Sequence, residues 1–370
     1  MSNPAEFLFV TCQVGAEATV KKELARRWPA MRFAYSRPGF LTFKLPARHG
    51  LSDDFDLGAV FVRAHGFSLG RVLGEDGEEM AAQVWRLWGD RAVDWVHVWQ
   101  RDTAAPGEHG FELSITPLAR EAAAALAAAC PQREQMAATA FDPRQPARVG
   151  DAVLDCVIVQ PGEWWVGHHR ARSVLSRWAG GIMPLELPAE AVSRAWLKME
   201  EALRWSQLPI PVGARCAEIG SAPGGASQAL LARGFRVLGI DPAAMAPVVL
   251  SHPRFTHIRR RVTQVRRREF RSVRWLMADM NVAPKYTLDA VEGIVTHREV
   301  SIRGMLLTLK LFDWDLADQI PECVQRVRGW GYNLVQVRQL ASHRQEVCLA
   351  ALQKPFRRKP PIRPFRVRKP

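Results

Sequence analysis

The 370-residue sequence contains no apolar run long enough to cross a membrane; its longest candidate, Ala122 to Cys130, is alanine-rich and reads as part of a helix. No basic segment and hydrophobic signal core precede the strand-like Phe7-Leu8-Phe9-Val10, so a cytoplasmic location is expected. Cys12, Cys130, Cys156, Cys216, Cys323 and Cys348 are scattered, with no pair spaced for zinc or for a redox motif, and read as reduced core thiols. No metal is expected from the sequence. Lysine is scarce: between Lys44 and Lys354 only Lys198, Lys285 and Lys310 occur, against dozens of arginines. Lys310 interrupts the apolar strand pattern Met305-Leu-Leu-Thr-Leu-Lys310-Leu-Phe312, and Lys198 stands in Ala195-Trp-Leu-Lys198-Met199 at the start of a helical pattern. An ammonium can be driven toward a neutral amine where a guanidinium cannot, so a proton-accepting lysine is the first expectation, weighed against chance placement of a few lysines in an arginine-rich chain.

What is present is positive charge, +14 in all. The tail from Lys354 to Pro370 holds eight basic residues and no acid, leaving the rest near +6. Nine arginines face one acid, Glu269, between Arg254 and Arg274. Such clusters suit a polyanion, and Arg259, Arg260, Arg261, Arg357, Arg358 and Lys359 are candidate RNA contacts, with Phe356 and Phe365 available to stack on unpaired bases. The plain alternative is a solvated tail that serves solubility.

Along the chain, residues 1–60 read strand, helix, strand, strand, an α+β module. Residues 61–165 continue with short strands, amphipathic helices near Met80 to Trp88 and Leu118 to Ala129, and a strand from Ala152 to Val159. This part carries no catalytic motif and reads as a binding module; Trp85, Trp88, Trp95 and Trp99 read as core. A linker is expected over 166–190, within a basic, aromatic and loop-rich stretch from Pro161 to Ala189 whose paired His168 and His169 do not by themselves make a metal site. From 191 to 354 strands and helices alternate, the pattern of a doubly wound, mainly parallel Rossmann-like sheet whose ligands lie at strand carboxyl ends. Residues 355–370 read as a basic, disordered tail. Lys285, beside Pro284, is expected in a loop.

Glu218-Ile-Gly220-Ser221-Ala222-Pro223-Gly224-Gly225 follows a strand and opens a helix, where glycines let the backbone turn and free amides can meet a carboxylate or phosphate. The spacing is not that of the dinucleotide fingerprint. Asp241 ends the next strand, placed to accept both hydroxyls of a ribose. The segment Glu218 to Gln228 resembles the first motif of S-adenosylmethionine-dependent methyltransferases, in the form found in the FtsJ/RrmJ family of RNA ribose 2′-O-methyltransferases. That family uses a Lys-Asp-Lys-Glu tetrad. Ser193-Arg-Ala-Trp-Leu-Lys198, Trp275-Leu-Met-Ala-Asp279, Leu307-Thr-Leu-Lys310 and His343-Arg-Gln-Glu346 resemble its four segments in order. The N-terminal part, with Thr11-Cys-x-x-Gly15 and β-α-β-β order, resembles a ferredoxin-like and THUMP RNA-binding region. The resemblance implies S-adenosyl-L-methionine as cofactor, bound by Glu218, Gly220, Ser221, Ala222, Pro223, Gly224, Gly225, Asp241 and Asp279. It implies RNA as partner, 23S rRNA or a ribosome precursor above all, and Lys198, Asp279, Lys310 and Glu346 as catalytic residues. One departure stands out: relatives place an acid after the third strand to contact adenine, where His257-Ile-Arg-Arg-Arg261-Val-Thr263 offers only basic and hydroxyl groups.

A ribose hydroxyl is a poor nucleophile near neutral pH, so its proton must be removed and its oxygen aligned. Lys310 is the candidate base; Lys198 would lower its pKa by like-charge repulsion, while Asp279 and Glu346 would orient both ammonium groups and oppose that shift. Alone, Asp279 could cap a turn, Glu346 could sit on an exposed edge and Lys198 could be a helix surface charge. Base methylation is disfavoured by the absence of an Asn-Pro-Pro-Tyr or Asp-Pro-Pro-Tyr motif, and 5-methylcytosine chemistry by the absence of a Pro-Cys nucleophile. The alternative from another class is a noncatalytic RNA-binding or assembly factor that keeps the fold.

Overall fold

A computed structural model describes residues 5–353, so the basic tail with Arg357, Arg358 and Lys359 lies outside the described residues. The first half builds one seven-stranded sheet from β1 (Phe7–Thr11), β2 (Arg32–Arg37), β3 (Phe40–Lys44), β4 (Ala64–Leu73), β5 (Trp95–Gln100), β6 (Ala152–Gln160) and β7 (Glu163–Arg170), in the order β2-β3-β1-β4-β7-β6-β5. Its helices are α1 (Glu17–Arg27), α2 (Gly77–Trp88) and α3 (Pro117–Ala128). Asp76 accepts the Glu79 amide to cap α2, Thr116 does the same for Ala119 of α3, and Pro117 supplies a preset φ at the first turn of α3. Trp85, Trp88 and Trp95 pack with α2 and α3 on one face of the sheet, and Trp99 packs with Phe9 and Phe40 on the other, so the tryptophan stripe is core.

The sheet is continuous across residue 60, because β1 pairs with both β3 and β4. One expectation for this half needs correction. The stretch expected to begin a linker at 166 is still inside β7, whose Trp164 and Val166 pack on one face of the sheet while Trp165, between them, packs on the other at period two. Pro161-Gly162 and Gly180-Gly181 on either side suggest a loop, but pairing with both β4 and β6 fixes it as strand.

The second half contains α4 (Ala195–Ser206), β8 (Arg215–Ile219), α5 (Gly225–Ala232), β9 (Arg236–Ile240), α6 (Pro247–Leu250), β10 (Phe255–Ile258), β11 (Trp275–Ala278), α7 (Pro284–Val295), β12 (Gly304–Lys310), α8 (Ile320–Gly329), β13 (Leu334–Arg338) and β14 (Glu346–Leu352). They form a seven-stranded sheet in the order β10-β9-β8-β11-β12-β14-β13, parallel except for β14, which runs against both neighbours. The strands read as continuous apolar runs because both faces are covered, and all four residues of β11 are buried. The order reverses between β8 and β11, which opens a crevice at their carboxyl ends. Lys285 is not in a loop: it is the second residue of α7, started by Pro284, with Thr287, Leu288, Val291 and Ile294 buried at helical spacing. All six cysteines are free and buried, and no described helix is long and apolar enough to cross a membrane.

Candidate active site

At the crevice, β8 ends in the glycine-rich turn. Gly220 has φ +78, and a Cβ there would stand 2.5 Å from the Asp279 carbonyl oxygen, so only glycine lets the turn lie against the end of β11. Gly224 (φ +121) would drive a Cβ into Val249, and Gly225 would meet Ser193. No side chain caps α5, which leaves its first-turn amides for a ligand. Asp241, just beyond β9, accepts the Ala222 amide at 3.1 Å and the Ala243 amide at 2.7 Å, so its carboxylate is fixed while each oxygen keeps acceptor capacity. These residues fit a nucleoside carrying an anionic group: uncapped amides at the start of α5 and an oriented carboxylate at the end of the next strand.

Glu218 holds a different position from the other predicted ligands. It is buried under the turn and bonded by the Ser227 hydroxyl, and burial, helped by Asp279 and Asp241, pushes its carboxyl up to about 8. It braces the turn from beneath. Ser221 is likewise buried and donates to the Met245 sulfur, and the Pro223 carbonyl accepts the Ala246 amide, tying the turn to the approach to α6. On β10, His257 sits near the Asp241 carbonyl at 3.0 Å; just beyond the strand, Arg259 donates to the Pro242 carbonyl at 3.3 Å, and Arg259, Arg260 and Arg261 are exposed.

The structure brings the four predicted catalytic residues together. Lys310 ends β12 and Glu346 begins β14, directly opposite in the antiparallel register, so a cross-strand ion pair follows from the pairing itself. Asp279 follows β11, the neighbour of β12, and lies 3.2 Å from Lys310. Lys198 comes from the first turns of α4, 2.7 Å from Glu346 and 3.6 Å from Asp279. Each ammonium therefore meets both carboxylates, and the formal charges cancel.

Burial pushes the Lys310 ammonium toward neutrality, but Asp279 and Glu346 outweigh burial and hold its pKa above the ordinary lysine range. Repulsion from Lys198, expected from the sequence to lower it, loses to two carboxylates in contact. Burial would raise Glu346; it is overcome, and the carboxyl falls to about 2. His343, pushed down to about 4 by burial, is neutral at pH 7, so at that pH Lys198 and Lys310 keep Glu346 ionised. The resting site is thus an ammonium pair clasped by a carboxylate pair, and Lys310 takes up a proton only after losing the one it holds.

Sequence reasoning missed the residues that position Glu346. Glu201, one turn beyond Lys198 on α4 and buried, accepts the Ala341 and Ser342 amides at 2.9 and 2.8 Å, which fixes the loop leading to Glu346. Arg344 donates to the Pro106 and Gly107 carbonyls, both at 2.6 Å, and Arg194 pairs with Glu112 and donates to the Ser342 carbonyl at 3.3 Å. The loop bearing Glu346 is therefore pinned to the first half of the chain. A buried glutamate one helical turn from a catalytic lysine was a usable signal for Glu201; nothing in the local pattern around Arg344 announces its partners.

With this geometry in view, comparisons with known proteins give a consistent picture. The FtsJ-like methyltransferase family matches residues 191–365. The chain is 32% identical over 182 residues to the Ribosomal RNA large subunit methyltransferase M of Xylella fastidiosa (strain M12), covering 47% of this chain and 51% of that protein. It is 30% identical over 189 residues to the protein of the same name from Halorhodospira halophila (strain DSM 244 / SL1), covering 50% and 53%. The chain spans about half the length of the curated relatives it matches.

Proposed function

Taking residues 191–365 as an FtsJ-like methyltransferase domain, we propose that the chain is an RNA ribose 2′-O-methyltransferase, acting on large-subunit ribosomal RNA with S-adenosyl-L-methionine as methyl donor. The observation that carries this reading is the closed tetrad beside the glycine turn: two lysines and two carboxylates at the switch point of the sheet, with both ammonium groups touching both acids. The complete tetrad favours an enzyme over a noncatalytic assembly factor.

The cofactor would be held by the amides of the Gly220–Gly225 turn, by Asp241 at the ribose and by the backbone near Asp279, and when bound it supplies an electrophilic methyl group on sulfonium. The remaining work belongs to this chain's own side chains. Asp279 and Glu346 aim the Lys310 nitrogen, and Lys198 keeps the cluster near neutral so that the carboxylates do not trap charge in a half-buried site. Lys310, once deprotonated, accepts the proton of the 2′-hydroxyl, and the resulting ammonium is stabilised by the same two acids that orient it. Exposed Arg259, Arg260 and Arg261 beside the turn would hold phosphates of the approaching strand, and the first half of the chain would present the RNA.

Two measurements test the reading. Labelled S-adenosylmethionine should bind saturably; no saturable binding at millimolar cofactor removes the enzyme reading. Mapping 2′-O-methyl positions in ribosomal RNA from cells with and without this chain should reveal a site that depends on it, and identical maps would remove the substrate assignment.

A further inference from the structure

Far from the tetrad, three adjacent strands at one edge of the first sheet place His97, Asp155 and His169 on a single face. His97 and Asp155 are direct partners across β5 and β6, and His169 on β7 stands one diagonal step from Asp155. Their ligand atoms all lie within 4.8 Å of one another, a spacing that could hold a metal ion between two histidines and one aspartate. His169 Nδ1 is 2.6 Å from Asp155 Oδ2 and His97 Nδ1 is 3.9 Å from Asp155 Oδ1. His97 and Asp155 are each 1% exposed.

Two features separate this cluster from an ordinary buried ion pair. Neither ring nitrogen of His97 meets hydrogen-bond geometry, the Arg177 backbone being only a weak polar neighbour, although a buried imidazole normally finds a partner. His169 Nε2 lies 2.7 Å from the Ser176 carbonyl. A donor there must be Nε2–H, and that bond turns Nδ1 toward Asp155 and His97, the arrangement by which an outer carbonyl orients a metal-binding imidazole. The three residues also line a cleft of about 810 Å³, together with Arg63, Arg172, Arg177 and Arg338.

We propose that His97, Asp155 and His169 bind one divalent transition-metal ion, zinc by ligand type, with water from the cleft completing its shell. Two imidazole nitrogens and one carboxylate suit an ion of borderline softness, and three protein ligands leave a position open. Side-chain rotations that widen the 2.6 Å contact and close the 3.9 Å gap bring the three donors to the spacing of ligands about 2.0–2.2 Å from zinc. The ion takes the lone pairs of two imidazoles and one carboxylate, and any proton held between His169 and Asp155 leaves to solvent. No bond within the protein breaks. Bound there, the ion joins β5, β6 and β7 to the segment carrying Ser176 and adds positive charge to the floor of an arginine-lined cleft. His168 and His169, adjacent in sequence, do not act together: His168 faces Asp53, whereas His169 pairs with Asp155 on the adjacent strand and lies near His97 two strands away.

The test is metal analysis of the tag-free full chain, followed by calorimetric titration with ZnCl2 and with CoCl2, using MgCl2 as the contrast. The expected result is one zinc per chain and saturable zinc and cobalt binding without magnesium binding. His97→Gln and His169→Gln, at unchanged circular dichroism, should each weaken binding by more than the roughly 10–100-fold typical for loss of an outer partner. If the variants do not fold, the cobalt spectrum of the unaltered chain decides. A spectrum without sulfur-to-cobalt charge transfer supports the site, and a thiolate band assigns the ion to the cysteines and overturns it. No saturable zinc or cobalt binding by folded protein, or binding undiminished in both folded variants, also overturns it, leaving a metal-free buried His-Asp-His pair. None of these readouts depends on methyl transfer.

Discussion

Replacing Lys310 by arginine and by methionine separates its charge from its proton. Lys310→Met leaves two carboxylates with Lys198 alone, at 2.7 and 3.6 Å. Breaking a largely buried ion pair from one side costs about 3–5 kcal/mol, and because Lys198 remains and the Lys310 side chain is 18% exposed, the low end, about 3 kcal/mol, is expected. Lys310→Arg keeps the cation beside Asp279 and Glu346, so stability should fall by only about 1 kcal/mol. Guanidinium does not deprotonate at usable pH. Methyl transfer in Lys310→Arg should therefore drop by the roughly 10²–10⁴-fold that a general base contributes, about 3–5 kcal/mol of barrier. Single-turnover transfer from labelled cofactor, at saturating cofactor and RNA, reads the chemical step, and denaturant unfolding reads stability. A Lys310→Arg variant that keeps near-normal turnover refutes Lys310 as base. A Lys310→Met variant as stable as the unaltered chain refutes the electrostatic account of the cluster.

Because Lys310 is held protonated, the single-turnover rate should climb with pH by up to about tenfold per unit between roughly pH 7 and 9; a flat profile would assign proton removal elsewhere. The folded pKa of Glu346, about 2, lies below its unfolded value near 4.3, so its stabilisation is complete above the unfolded value and should be lost as pH falls through about 2, a difference visible in acid unfolding of Glu346→Gln beside the unaltered chain. Gly220→Ala forces a side chain to within 2.5 Å of the Asp279 carbonyl at positive φ, so it should lower both cofactor affinity and turnover, and normal values for both would contradict the packing argument. Asp241→Asn should raise the KM for cofactor by about 10–100-fold with a smaller change in kcat, since it removes an acceptor at the ribose and not at the reacting atoms. Removing residues 355–370 should flatten the salt dependence of RNA binding, because the seven cationic side chains removed no longer release counterions; an unchanged slope restricts the tail to solubility.

The second half was readable because each of its signals is local. Val237 to Ile240 is a run of apolar residues bounded by Gly234 and Asp241, and Gly220, Gly224 and Gly225 mark a turn that no other residue could make. Lys310 was conspicuous because an apolar strand rarely ends in a charge. The pKa of Lys310 was not readable, since it depends on contacts among β11, β12, β14 and α4, which meet only in three dimensions. Lys285 lies in a helix that the sequence does not announce, because Pro284 beside it suggests a loop while in the fold it occupies the first position of α7, where its missing N–H costs nothing. β7 was hidden by its histidines and arginines: its strand character comes from β4 and β6 on either side, and propensity does not record neighbours.

The pinning of the Glu346 loop by Glu201, Arg194 and Arg344 has a consequence for how the site comes into being. In chain order the residues of the charge cluster are Lys198, Asp279, Lys310 and then Glu346, and the last of them lies on β14, inserted between β12 and β13 against the direction of the parallel strands. Without β14 the two ammonium groups would have Asp279 alone between them; with it, four charges balance, so the strand that completes the antiparallel pairing also neutralises the cluster. The Pro106 and Gly107 carbonyls that receive Arg344 belong to the first half of the chain, so the placement of Glu346 depends on both halves.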